Sequence, residues 1–188
     1  MASREPHHVF TYDEYLARER ETGLRHEFLE GAVYAMAGGT PEHARLIAEV
    51  TFAIRSVVDP ARCRVFSSEL KVQVAATGLT TYPDIALVCG DLLRASGDEN
   101  AVTNPKLLVE VLSSSTEAYD RGEKWAHYRR IESLEAYLLV GQIPQRVEVY
   151  EKQPNGDFVH RVASRGEQLT IGCAGVTLDV DALYRAAL

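Results

Sequence analysis

The run Leu107-Leu108-Val109-Glu110-Val111-Leu112 restricts this chain more than any other stretch. It reads as a strand buried on both faces. A carboxylate at such a place costs several kcal/mol unless a cation or a metal meets it. The fold must therefore bring Glu110 a partner. A second apolar run, Tyr82-Pro83-Asp84-Ile85-Ala86-Leu87-Val88, carries an aspartate near its start. Strand alternation puts Glu110 on one face with Leu108 and Leu112, and Leu107, Val109 and Val111 on the other. If the two strands are neighbours, Asp84 and Glu110 lie side by side and can chelate a divalent cation. Hard oxygen donors suit Mg²⁺ or Mn²⁺. Alone, Asp84 reads equally as a turn residue after Pro83, and Glu110 as half of a buried ion pair; together they favour a metal site.

Asp120, Lys124 and Tyr128 follow at four-residue spacing and share a helix face. A lysine ammonium beside a scissile phosphate orients the attacking water and stabilises transition-state charge. The same spacing fits an Asp120–Lys124 salt bridge, and the two roles are compatible. His43 lies on the apolar stripe of an upstream helix, near its N-terminus; it reads first as a core or capping residue, then as a group at the mouth of the site. Glu42 sits on a different face. Glu27 and Glu30 read first as surface or turn residues and only second as site residues, and Ser113 as a helix cap that could support a site ligand.

The 188 residues fit one domain spanning 1–188. No stretch approaches the roughly 18 apolar residues of a membrane span, and the first residues lack an apolar signal core, so a cytoplasmic location with no membrane contact is expected. His7-His8 reads as a loose end. Cys63, Cys89 and Cys173 are odd in number and widely spaced, which argues against a disulfide framework or zinc site. Cys89 reads as a small core residue. The net charge of −7 counts against a simple nucleic-acid binder. An acidic metal cluster offsets that objection, because bound cations neutralise it. Arg62, Arg64, Lys71, Arg121, Lys124, Arg129 and Arg130 supply local positive charge, most of it read as solvated surface. No P-loop, dinucleotide-binding glycine loop or Gly-x-Ser-x-Gly elbow is present.

Thr11-Tyr12-Asp13-Glu14 fits a capping box opening a helix to about Glu21. Residues 25–37 read as a hairpin around Glu30-Gly31. Thr40-Pro41 opens a second helix with the stripe Ile47, Val50, Ile54, Val57 and Val58, ended by Asp59-Pro60. A strand is expected over 63–75, then the Asp84 strand, a loop over 90–104 and the Glu110 strand. A helix follows from about Glu117 to Ile131, weakened by Gly122, then strands Ala136–Val140 and Arg146–Lys152. Pro154-Asn155-Gly156-Asp157 is a turn. The tail alternates over 176–180 and closes in a short helix, Ala182–Ala187. The class is α/β or α+β: a mixed central sheet flanked by helices, with an N-terminal helix and β-hairpin and added C-terminal strands.

Tyr82-Pro83-Asp84, Val109-Glu110-Val111-Leu112-Ser113-Ser114-Ser115-Thr116, and Asp120-Arg121-Gly122-Glu123-Lys124 with Tyr128 resemble the Uma-type restriction endonucleases of the PD-(D/E)XK nuclease superfamily. The likeness extends upstream through Thr11–Tyr15, Glu27–Gly31 and Pro41-Glu42-His43, and downstream through Tyr137–Val140 and Arg146–Tyr150. It implies a restriction-endonuclease-like core in which Asp84 and Glu110 hold Mg²⁺, with Mn²⁺ as a substitute. The superfamily's lysine would fall at Leu112; in this group its counterpart is Lys124. The resemblance thus implies an endonuclease that hydrolyses phosphodiester bonds in DNA, with Asp84, Glu110 and Lys124 catalytic and His43, Asp120 and Tyr128 in support. Cutting a duplex would take a homodimer, one subunit per strand. Two other readings stand beside it: a nuclease-fold binding or assembly module with little activity, and a nuclease for RNA or small nucleotides.

Overall fold

The computed structural model describes residues 8–36 and 38–185. His7 of the His7-His8 pair and Ala187 of the expected last helix lie outside them. Helix α1 (Tyr12–Thr22) starts at Thr11, whose side chain accepts from the Glu14 amide while Glu14 reaches back, a complete capping box. Strands β1 (His26–Leu29) and β2 (Ala32–Ala35) form the hairpin. Glu30 carries the turn at φ 48°. Helix α2 (Pro41–Val57) is capped by Thr40.

Strands β3 (Cys63–Ser67), β4 (Lys71–Gln73), β5 (Thr80–Thr81), β6 (Ile85–Cys89), β7 (Arg94–Ala95), β8 (Asp98–Val102) and β9 (Leu107–Val111) follow. Helix α3 comprises an α-helical turn Glu117–Tyr119, a π-helical stretch Asp120–Lys124 and an α-helical turn Trp125–Tyr128. Strands β10 (Ala136–Gly141), β11 (Arg146–Lys152), β12 (Phe158–Ser164), β13 (Gln168–Ile171) and β14 (Val176–Asp179) lead to α4 (Val180–Tyr184).

The central sheet is mixed, in the order β12-β11-β10-β9-β6-β3, with β9 and β10 parallel and the other pairs antiparallel. Its two faces carry two cores. Leu107, Val109 and Val111 pack with Leu46, Val50 and Ile54 of α2 and with β13, β14 and α4. Leu108 and Leu112 pack with Tyr128 of α3, with Val72 of the other large sheet, and with Val74 and Leu79 of its β4–β5 turn. That sheet runs β2-β1-β5-β4-β8-β7. The expected class therefore holds, with helices on both faces.

Several local expectations change. The strand expected over 63–75 is two strands in different sheets, broken by a turn in which the Leu70 amide donates to Ser67. The loop expected over 90–104 contains the β7–β8 hairpin, whose Gly97 sits at φ 81°. Strands β12 and β13 were not anticipated. Cys63 and Cys89 are direct cross-strand partners and form a disulfide, which overturns the unpaired reading. Their separation of 26 residues says nothing about register until β3 and β6 are paired. Cys173 stays free, its thiol pushed up to about 12 by burial. Among the described residues no helix is long and apolar enough to cross a membrane.

On α2 the buried stripe uses Leu46 and not Val57, which is 52 % exposed. Leu46→Ala is expected to cost about 2–5 kcal/mol through a buried cavity, and Val57→Ala less than about 0.5 kcal/mol. Urea unfolding of the two variants measures the contrast.

Candidate active site

The ladder between β6 and β9 pairs Ile85 with Val109 and Ala86 with Leu108. One step further, where the strands part, Asp84 comes opposite Glu110. Strand alternation puts Glu110 on the face shared with Leu108 and Leu112. Asp84 Oδ2 accepts the Val111 amide at 2.7 Å, so a side chain supplies the bond that a strand carbonyl would have made. The same oxygen lies 3.3 Å from His43 Nε2. Thr40 caps α2 by accepting the His43 amide, and this fixes His43 at the helix start. Hydrogen bonding to Asp84 raises the His43 pKa against the opposing effect of burial. His43 is thus half-buried at the site, and its reading as a core or capping residue gives way to a contact with Asp84.

Glu110 is 4 % exposed. Its Oε1 accepts from Tyr128 Oη at 2.9 Å and lies 2.9 Å from Lys124 Nζ. Lys124 also reaches Asp120 Oδ1 at 3.3 Å. Burial pushes the Glu110 carboxyl up to about 8; Lys124 opposes that rise, and the charges of Asp84 and Asp120 add to it. Burial alone would lower the pKa of Lys124, but Glu110, Asp120 and Glu27 overcome it and hold the ammonium charged. The lysine is therefore an intramolecular cation set against one acid of the pair.

The π-helical stretch of α3 departs from the regular helix expected over 117–131, which also stops earlier, at Tyr128. Gly122, a poor helix former, lies inside it. Such wide turns recur at functional sites. Here the turn carries both Asp120 and Lys124, and the Asp120 carbonyl accepts Tyr137 Oη at 3.1 Å.

Glu27 is the residue that sequence reasoning misplaced. It is buried, not on the surface: its carboxylate accepts Thr81 Oγ1 at 2.7 Å and a hydrogen bond from Tyr119 Oη. A lone Glu in a four-residue strand gave no periodic signal; only the packing of the β1 sheet against α3 brings it near Lys124. Glu42 pairs with Arg45 instead, and the Ser113 hydroxyl contacts those of Ser115 and Thr116. Asp84, Glu110, Lys124, His43, Asp120 and Tyr128 are thus linked by direct contacts or by register.

Whether these residues fit a divalent ion turns on their free oxygens. Protein contacts engage Asp84 Oδ2 and Glu110 Oε1, which leaves Asp84 Oδ1 and Glu110 Oε2 for a ligand. Among the described residues no three His, Cys, Asp or Glu side chains converge as a metal-binding group. Two carboxylates still fit Mg²⁺, which keeps several waters and binds through one or two carboxylates.

Residues 12–181 match the family described as Uma2, "Putative restriction endonuclease". Two uncharacterised proteins of Synechocystis are similar. The protein slr1290 is 34 % identical over 173 residues, spanning 92 % of this chain and 90 % of that protein. The protein sll1609 is 32 % identical over 144 residues, spanning 77 % and 81 %. A crystal structure from Anabaena variabilis, described as a "putative nuclease belonging to DUF820", superposes with TM-score 0.75 at 23 % identity, covering 94 % of this chain and 98 % of that one. At that identity the likeness concerns the fold. With a family match across 170 of 188 residues, the chain belongs to the Uma2 family.

Proposed function

We propose that this chain is a Mg²⁺-dependent endonuclease that hydrolyses phosphodiester bonds in DNA. The observation that carries the reading is the buried Glu110, held by the Lys124 ammonium at 2.9 Å next to the Ile85–Val109 pair that Asp84 also flanks. The family description supports nuclease chemistry; the metal and the DNA substrate are our own assignment. Asp84 and Glu110 would hold the ion, with Mn²⁺ as a substitute. When bound, it would polarise the phosphoryl oxygen and supply a water that is more easily deprotonated.

The chain's own groups do the rest. His43 and the Val111 amide fix the Asp84 carboxylate through one oxygen. Tyr128 and Lys124 do the same for Glu110. Lys124 carries a compact charge that can follow the negative charge growing on the phosphoryl oxygens. Asp120 and Glu27 keep that ammonium protonated in a buried place. A homodimer would present two such sites to the two strands of a duplex. Light scattering of the purified chain tests this: a monomer that still makes double-strand breaks counts against it.

A supercoiled plasmid incubated with increasing Mg²⁺ or Mn²⁺ is expected to go from supercoiled to nicked circle, and EDTA is expected to stop it. No nicking at any concentration of either ion overturns the reading. One observation favours a second reading, a nuclease-fold binding module with little activity: Lys124 already neutralises Glu110 without any ion. That module would bind nucleic acid or a protein and leave the plasmid intact. A panel of RNA and small-nucleotide phosphodiesters in the same assay separates the remaining substrate classes.

A further inference from the structure

The rows of side chains that hold the candidate site continue across the central sheet. Glu110 lies beside Leu139, Leu139 beside Glu148, and Glu148 beside Val162. The neighbouring row runs Leu108, Tyr137, Tyr150, His160. Directly paired residues share a sheet face, so Glu148, Tyr150, His160 and Val162 are on the same side as Glu110. Two interstrand spacings, about 10 Å, separate the Glu110 and Glu148 backbones.

On this side the aromatic rings form a ladder. Trp125 follows Lys124 and lies parallel to Tyr137, with centroids 5.6 Å apart. It also stacks on Tyr150 at 4.5 Å, and Tyr150 stacks on His160 at 4.5 Å and 14°. His160, the outer rung, has its side chain 41 % exposed, and Val162 beside it is 49 % exposed. One edge of the His160 ring is held by Glu148 Oε2 at 3.1 Å, and one face is covered by Tyr150.

Positive charge gathers around the buried Glu148. Arg121 donates to both of its oxygens at 2.9 and 2.7 Å and spends its Nε on Glu117. Arg146 is placed differently. Its Nε lies 2.7 Å from Glu148 Oε1 but makes no hydrogen bond. The Arg146 side chain is 35 % exposed. A part-exposed arginine beside an open aromatic face is the chemistry of a phosphate next to an unstacked base.

We propose that this strip, His160 with Val162 and Arg146, binds single-stranded DNA: an unpaired base extends the ladder on the outer face of His160, and Arg146 holds an adjoining phosphate. Trp125 and Arg121 of α3 cover the sheet face between the strip and Glu110, so the strand lies along the exposed β12 edge of the sheet. The inference rests on the nuclease reading for what happens to that strand, and on the strip alone for the binding. A single strand is the occupant because only a base outside a duplex stack offers its ring face. His160 and Arg146 act as positioning residues, with no part in the bond broken.

Fluorescence anisotropy of a labelled oligothymidylate, with the full chain in EDTA, reads binding separately from cleavage. His160→Ala is expected to weaken binding roughly 5- to 100-fold, the range for losing one base stack. His160→Phe keeps a ring face but cannot pair with Glu148, and it is expected to stay within about 2-fold of wild type. Arg146→Ala is expected to weaken binding and to flatten the slope of log affinity against log salt by about 0.7, the loss of one phosphate contact on a single strand. The proposal falls if wild type does not bind the oligothymidylate, or if His160→Phe loses as much as His160→Ala. The latter would make the histidine a structural partner of Glu148. It falls equally if the variants bind normally, including the case where they turn a dimer into a monomer by light scattering, since the strip would then be a contact between copies. Binding with these variant effects but no plasmid nicking in Mg²⁺ overturns the nuclease reading and leaves the strand-binding strip standing.

Discussion

Glu110→Gln is expected to abolish tight binding of Mg²⁺ and Mn²⁺ and, with it, cleavage, while the chain stays folded. Removing a residue that merely orients a ligand already costs about 10- to 100-fold in affinity, so losing a ligand oxygen's charge is expected to cost more than about 100-fold. The carboxylate is not an unpaired buried charge: Lys124 meets it at 2.9 Å. The fold should tolerate the amide because Asp120 still lies 3.3 Å from the ammonium. Isothermal titration with Mn²⁺ is the measurement, and unchanged affinity removes Glu110 from the ligand set.

The same titration carries a pH signature. Burial raises the Glu110 carboxyl to about 8 without an ion. Below about pH 8 an incoming cation therefore competes with a proton for Glu110 as well as with the Lys124 ammonium. Wild-type affinity should climb as pH rises towards about 8 and level off above it, with proton uptake by the buffer near neutral pH. The sign for stability is opposite. Between the ordinary glutamate pKa and about 8, the folded chain binds a proton that the unfolded chain does not. This contribution to the ion-free fold is fully present below the ordinary value and is lost as pH rises through about 8. Saturating Mn²⁺ should offset that loss, since a ligand bound only by the folded state stabilises it.

Much of this site was legible because burial makes a charge conspicuous. Glu110 stands out in an apolar strand, and Asp84 in a second one; the β6–β9 pairing that joins them comes from the fold, since two strands buried on both faces carry no alternation to set a register. The helix spacing of Asp120, Lys124 and Tyr128 brought all three to one side, even though the turn that carries the first two is π-helical. Glu27 was illegible for a physical reason. Its strand is four residues long and belongs to the other large sheet, and its proximity to Lys124 depends on how that sheet docks. The Cys63–Cys89 disulfide was hidden in the same way, since it depends on cross-strand register and not on spacing. The β7–β8 hairpin was lost to a polar, glycine-bearing composition that also fits a loop. Leu46 replaced Val57 on α2 because its helical phase, not its apolar character, decides which side meets the sheet.

Lys124→Ala is expected to lower turnover roughly 10²–10³-fold, the usual effect of removing one donor to transition-state charge, while leaving Mn²⁺ affinity equal to wild type or tighter. The reasoning starts from geometry. Lys124 is 5 % exposed and its ammonium meets Glu110, so it can act on a phosphate only from inside the site. In the ion-free chain it competes with a cation for the Glu110 charge, which is why its loss should not weaken the ion. During reaction it would face charge that grows on the phosphoryl oxygens, and an interaction felt mainly there affects kcat more than KM. Lys124→Arg should rescue poorly: a planar guanidinium is bulkier than the ammonium it replaces and cannot sit between Glu110 and Asp120 in the same way. Truncation also leaves two buried acids without their shared cation, and breaking such a pair costs about 3–5 kcal/mol. Uptake of a proton by Glu110 offsets part of that cost. Kinetics should therefore be run at a temperature where thermal unfolding shows the variant fully folded. Wild-type turnover in a folded Lys124→Ala would remove the lysine from the chemistry, and its contacts with Glu110 and Asp120 would then be those of a structural ion pair.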